Sequence, residues 1–257
     1  MRRILLIILF FVNLNLFSQS ILTALNFGKN EKFHSNKLVA ETVTQTTFYN
    51  STNIEKKKYV TTFNQQNKIT SELRYDEEGN LKQRLTRMYD STGTRSLARR
   101  LENWHPLLGH FYETAYHEYD SRGFLIRIID KDQNNKIICE TNINNNDYGN
   151  PTELTVIVGN QTQGKEIAEY NYEKNEVIIK YFNKEGELIN SDVSKIEFTK
   201  GKPGDILNEY GDVIKSSDFE MKIKYDKNGN WIKKIYSVIK NGKLIKKSES
   251  IRKIKYL

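Results

Sequence analysis

The 257-residue chain carries one cysteine, three prolines, 37% apolar residues and a formal net charge of +8. A single cysteine excludes an internal disulfide framework, so order must come from packing, backbone pairing or metal. Counted with its 14 Gly in place of its 15 Tyr, the apolar share stays almost unchanged. It falls below the roughly 45–50% of ordinary globular domains, which suits a sheet covered on one face better than a thick core.

Residues 1–20, MRRILLIILFFVNLNLFSQS, place Arg2 and Arg3 before an apolar run from Ile4 to Val12, then small residues at Ser18 and Ser20. That order is the signature of a secretory signal peptide. The run is shorter than the roughly 20 residues a membrane-spanning helix needs. No cysteine follows it, which argues against a lipid-anchored lipoprotein. A retained anchor is the alternative reading. The mature chain is predicted to start at or near Ile21, with no transmembrane span after leader removal, and to be secreted, periplasmic or on the cell surface.

Residues 21–58 lack the repeat that follows and read as an N-terminal lead-in, either a strand pair or a loosely ordered segment. From 59 to 257 a pattern recurs: apolar, any residue, Tyr, Asp or Asn, two polar residues, Gly, then Asn or Glu, then apolar. Its three fullest copies are Tyr75-Asp76-Glu77-Glu78-Gly79-Asn80-Leu81, Tyr119-Asp120-Ser121-Arg122-Gly123-Phe124-Leu125 and Tyr225-Asp226-Lys227-Asn228-Gly229-Asn230-Trp231. Weaker copies centre on Tyr89, Asn146, Tyr170, Phe182 and Asn208. Asp or Asn at the first turn position bonds its side chain to the backbone two residues on, and Gly supplies a left-handed conformation without steric cost. The pattern thus predicts type I turns closed by a glycine bulge, the connection of an antiparallel hairpin. Between them lie strand-sized pieces rich in β-branched and aromatic residues, such as 111–116 and 231–239. Segment 96–104 fits two helical turns or a strand about equally, and His105-Pro106 ends it. The expected fold is all-β, an antiparallel meander of hairpins forming an elongated or curved single sheet.

The Tyr-Asp-x-x-Gly copies at 75–79, 119–123 and 225–229 resemble the YD repeats of RHS-type bacterial surface proteins. Members of that family are secreted, and their hairpin strips wind into β shells or spirals that enclose, display or bind other molecules. The resemblance implies a short, single-sheet cousin at the bacterial cell envelope, with a structural or interaction role and no catalysis. A periplasmic carrier holding an apolar ligand in a curved sheet is the alternative.

Other candidate chemistry is sparse. Asp130, Asp132 and Asn134 occupy positions one, three and five of a calcium loop, but Asn135 replaces the glycine at six and the closing glutamate is displaced. A polar hairpin turn is the competing reading. His105, His110, His117 and Glu118 form a conceivable zinc set, although His117 and Glu118 point to opposite faces of a strand. Cys139 lies in an apolar run and reads as a small hydrophobe. There is no nucleophile elbow or phosphate-binding loop, and no cofactor is predicted.

From Lys215 to Leu257, 13 Lys and Arg stand against 4 Asp and Glu, a net of +9, while the rest of the mature chain is about −3. Two readings follow: attraction to an anionic envelope polymer or a protein partner, or lysines protecting an edge strand from aggregation. Specific nucleic-acid recognition is not indicated. Within this region Trp231, where the other full copies have Leu, and its neighbours Lys233 and Lys234 are the expected contact residues.

Overall fold

A computed structural model describes residues 20–27, 33–34, 37–50, 52–197 and 204–257. The predicted leader lies outside the described residues except for Ser20. The protein is all-β, with seventeen strands in one antiparallel sheet. Among the described residues the one helix is α1 (Ile21–Leu25). No described helix is long and apolar enough to cross a membrane.

The strands begin with β1 (Val39–Tyr49), β2 (Ile54–Phe63), β3 (Ile69–Tyr75), β4 (Leu81–Tyr89), β5 (Ser96–His105) and β6 (Gly109–Tyr119). They continue with β7 (Leu125–Asp132), β8 (Ile137–Asn145), β9 (Pro151–Val158), β10 (Gln161–Asn171), β11 (Glu176–Asn183) and β12 (Leu188–Lys195). The last five are β13 (Ile206–Leu207), β14 (Val213–Lys215), β15 (Phe219–Tyr225), β16 (Trp231–Lys240) and β17 (Lys243–Tyr256). Segment 96–104, open between helix and strand in the sequence, is strand β5. Two compact units divide the chain, one of residues 1–29 and 115–196, the other of residues 30–114 and 197–257.

In the first unit β7 to β12 pair in chain order. Its interior is apolar: Ile128, Ile143, Leu154, Val156, Ala168, Val177 and Ile179 cluster with Ile21 and Leu25 of α1. The helix is only five residues long and starts at Ser20, whose hydroxyl accepts a bond from the Thr23 N–H. An isolated helix of that length has no stability of its own. It holds because Ile21 and Leu25 lie buried in this cluster.

The second unit is wetter. Here β1 lies between β2 and β17, so the first strand pairs on both sides and joins the last. The buried apolar residues are Val39, Phe63 and Ala98, while Thr42, Thr46, Thr61, Ser96, Glu102 and Arg252 are buried polar ones. Thr42 and Thr46 alternate on one face of β1, and the Thr46 hydroxyl pairs with that of Ser250 at 2.9 Å. This interior accounts for the low apolar share of the sequence.

Most strand connections that follow the Tyr-Asp pattern share one geometry; the Tyr89-Asp90 turn is one residue longer, with the Asp90 N–H donating to the Arg95 carbonyl, and the turn after Tyr170 closes from the Asn175 N–H to the Tyr172 carbonyl. In the turn after β3, the Asp76 N–H donates to the Asn80 carbonyl at 3.0 Å and the Gly79 N–H to the Asp76 carbonyl at 3.2 Å, with Gly79 at φ +85°. The same two bonds recur at Asn64, Asp120, Asp132, Asn146, Asn183, Asn208 and Asp226. At Asn67 and Asn135 an asparagine replaces the glycine in the left-handed conformation, which that residue tolerates better than most. At Gly149 the glycine has a second reason: a Cβ there would lie 2.6 Å from the Phe124 ring.

Candidate functional site

The turns carry the recurrent polar chemistry. The first residue, Asp or Asn, points its Oδ1 at the backbone N–H groups two and four positions on: Asp120 to Arg122 and Phe124, Asn146 to Tyr148 and Asn150, Asn208 to Tyr210 and Asp212, Asp226 to Asn228 and Asn230. Of the calcium-loop candidates, Asp132 and Asn134 belong to this series. Asp132 accepts from Asn134 and Lys136 at 2.9 Å each, and Asn135 takes the left-handed position. Asp130 is a buried residue of β7. Turn chemistry accounts for Asp132 and Asn134, and no group of three or more His, Cys, Asp or Glu placed to hold a metal occurs among the described residues.

One tyrosine of the pattern, Tyr225, and two others, Tyr172 and Tyr256, have a role that their sequence positions do not announce. Tyr225 lies at the mouth of one turn, yet its hydroxyl donates to Asp212 and accepts from Asn208, the closing and opening residues of an earlier turn. Tyr256 does the same to the next turn, donating to Asp226 and accepting from Asn230. Tyr172 accepts from both Asn146 and Asn150. Each such tyrosine therefore cross-links one hairpin end to another, and the stacked Tyr210–Tyr225 rings, with centroids 4.1 Å apart, add to the seam.

These bonds depress the turn carboxylates. Lys82, with Asn80, holds Asp76 down to about 2. The Thr92 hydroxyl lowers Asp90, and the Phe124 amide lowers Asp120. At Asp226 burial opposes ionisation, but Tyr256 and the amides of Asn230 and Asn228 outweigh it and hold the group below its ordinary value. A folded-state pKa below the unfolded one gives stability that is present above about pH 3.9 and lost as pH falls through the folded value. Replacing Asp76, Asp90, Asp120 and Asp226 together by Asn, the residue already present at Asn64, Asn146, Asn183 and Asn208, should flatten the acid limb of the stability curve between about pH 4 and pH 2. An unchanged acid midpoint would show that these turns do not set it.

The geometry separates the three residues singled out near the C terminus. Trp231 lies beside a bulge, since Tyr225 pairs with Trp231 while Lys224 pairs with Lys233. Lys234 Nζ lies 4.6 Å from the Trp231 ring centroid and the Arg252 guanidinium 3.9 Å from it, with Arg252 Nε also donating to the Trp231 carbonyl at 2.9 Å. Arg252 is 3% exposed. Trp231 is thus a packing partner of a buried arginine. Lys233 points to the opposite face and meets Glu249 at 2.5 Å. Lys233, with Lys246, holds Glu249 down to about 2.

On that opposite face, the exposed one, Lys224 sits directly across from Lys233, with exposed Lys222 two residues along β15 and Lys253 and Lys255 alternating along β17. Like charges directly opposite destabilise a sheet. Among the described residues Lys224, Lys253 and Lys255 make no ion pair. β17 pairs with β16 over residues 243–251 and with β1 over 248–256, so Lys253 and Lys255 lie beyond the β16 partner and Lys246 and Lys247 beyond the β1 partner, as the edge-protection reading requires. On β2 to β4 an open groove of about 530 Å³ is lined by Lys56, Tyr59, Arg74, Tyr75, Asp76 and Lys82, among others, a wall of mixed charge with tyrosines in it.

The histidines are each occupied locally. His105 Nδ1 accepts from the Leu107 and Leu108 amides, His110 Nε2 is 3.4 Å from Glu102, and the buried His117 ring meets Phe27 edge-on at 4.6 Å. Glu118 lies 3.6 Å from Arg127. Burial pushes the Cys139 thiol up, away from the reactive thiolate. Three features escaped the sequence. In the sequence Asn230 reads as a turn residue only, and neither Arg252 nor Glu166 is singled out. Glu166 is 8% exposed, burial raises its pKa, and it accepts the Ile21 N–H at 2.8 Å.

Comparison with known proteins gives little to lean on. No family model matches the chain, and no curated protein matches it. Among solved structures, the crystal structure of a porin-like protein from Bacteroides uniformis is similar to 88% of this chain and 100% of its own, at 9% identity and a TM-score of 0.49.

Proposed function

We propose that this is a non-enzymatic, secreted or envelope-associated β-repeat protein of the YD-repeat kind, and that it binds an anionic envelope polymer on the lysine-rich face of β15, β16 and β17. The observation that carries this reading is the Lys224–Lys233 cross-strand pair with Lys222, Lys253 and Lys255 on the same face. On this face Glu249 meets Lys233 and Glu41 stands across from Lys255, which leaves Lys224 and Lys253 without an acidic partner among the described residues, and a polyanion supplies the counter-charge they lack. An extended polymer suits a flat row of cations better than a small ligand does, since the row offers charge without an enclosing pocket. Lys224, Lys253 and Lys255 would supply the attraction, while Lys233 is already neutralised by Glu249.

The test is binding to dextran sulfate, with neutral dextran as control, across a salt series. The mature protein should bind the sulfated polymer with an affinity that falls steeply with ionic strength. Changing Lys224, Lys253 and Lys255 together to Gln should weaken it by about tenfold or more, since three surface charges each contribute of the order of 0.5–1 kcal/mol. Equal binding by the triple variant, or binding indifferent to salt, would defeat the proposal.

A further inference from the structure

We infer that the mature chain begins with Ile21 and that its new α-ammonium group forms a buried ion pair with Glu166. The inference rests on the secretion part of the proposed function and not on the polyanion part. Glu166 sits in β10 between Leu154 of β9 and Tyr181 of β11, and it is 8% exposed. Among the described residues no Lys, Arg or His pairs with it. Its hydrogen-bond partner is the Ile21 nitrogen at 2.8 Å, in a buried position. A buried carboxylate needs a cation or a proton, because one amide does not repay the loss of water.

The sequence places a cut at that same nitrogen. Ser18 and Ser20 stand three and one residues before Ile21, the small-x-small spacing of a signal-peptidase site. Hydrolysis by a membrane-bound signal peptidase breaks the Ser20–Ile21 C–N bond. The water oxygen goes to the Ser20 carboxylate, and the Ile21 nitrogen takes up protons to become an ammonium. The donor already aimed at Glu166 then carries a full positive charge. The Ile21 side chain is 0% exposed and belongs to the apolar cluster, so the terminus is anchored by packing before the charge acts. Cleavage also removes the Ser20 bonds to the Thr23 and Ala24 amides, of which the Thr23 bond is exposed and passes to water. Processing thereby becomes a stabilising step: the leader-bearing chain has a buried acid without a counter-charge, and the mature chain has the pair.

The experiment starts with the full-length chain exported from a secreting bacterial host, whose N-terminal residue is read by mass spectrometry and is expected to be Ile21. Purified chains starting at Ile21 and at Ser20 are then compared. The Ile21 chain should melt about 5 °C higher, and Glu166→Gln should close that gap. As a readout independent of that variant, the Ile21 amine should react with an acylating reagent at neutral pH at least about tenfold more slowly in the native protein than in urea. A different N terminus, equal melting temperatures, a gap that survives Glu166→Gln, or an amine labelled as fast as in urea overturns the inference. Loss of dextran sulfate binding bears on the proposed function and leaves this pair standing.

Discussion

Truncating Leu154 to alanine is expected to cost about 2–5 kcal/mol, the range for removing a large aliphatic side chain from a packed core. Leu154 is 1% exposed and lies in the one apolar cluster of the molecule's described residues, beside Ile128, Ile143, Val177 and Ile179. Its neighbours are held by strand backbones on both sides, so the site cannot collapse to fill the void. In the other unit, Thr46→Ala removes a buried hydroxyl bonded to Ser250, a loss of about 1 kcal/mol. The contrast follows from what each unit buries, hydrocarbon in one and hydroxyls in the other. Denaturant unfolding of both variants measures it, and a Leu154→Ala cost under about 1 kcal/mol would contradict the packing described.

The hairpins were legible in the sequence because their determinants are local. Asp76, Asp120 and Asp226 bond to backbone groups two to four residues away, and Gly79, Gly123 and Gly229 need only their own φ, so a short motif carries the whole instruction. The same logic reaches Asp132, where an asparagine stands in for glycine, and there the motif resembled a calcium loop because both use Asx side chains at alternate positions. What lay beyond reach is long-range pairing. Nothing near Lys253 says that β1 will pair with β17 over residues 248–256. Nothing near Trp231 says that Arg252 will fold beneath it, so an aromatic among lysines read as a contact residue. The Tyr-Asp pair is intermediate. Its recurrence is plain, but the bond from Tyr225 to Asn208 spans 17 residues, as that from Tyr256 to Asp226 spans 30.

That difference between local and remote bonds gives an unequal expectation for two residues in identical motif positions. Asn80 and Asn230 both close a Tyr-Asp-x-x-Gly-Asn turn. Asn80 is exposed, and its side chain reaches Asp76 alone, so Asn80→Ala should cost no more than about 0.5 kcal/mol, the ordinary scale for a surface change. Asn230 is 1% exposed; its Oδ1 accepts the His34 N–H at 2.8 Å and its Nδ2 donates to the Tyr256 hydroxyl at 2.8 Å. Alanine there leaves the His34 N–H without its acceptor and takes one of the two bonds of the Tyr256 hydroxyl, which keeps Asp226; an unsatisfied polar group costs about 1–3 kcal/mol and a lost hydrogen bond about 1 kcal/mol. Asn230→Ala should therefore lose about 2–4 kcal/mol, and Tyr256→Phe about half as much, because Asp226 keeps its bonds to the Asn228 and Asn230 amides. Equal melting temperatures for Asn80→Ala and Asn230→Ala would mean that the cross-link between turns contributes nothing. A large gap, with dextran sulfate binding retained at a temperature where both variants are folded, would place Asn230 in the framework and leave recognition to the lysines of the opposite face.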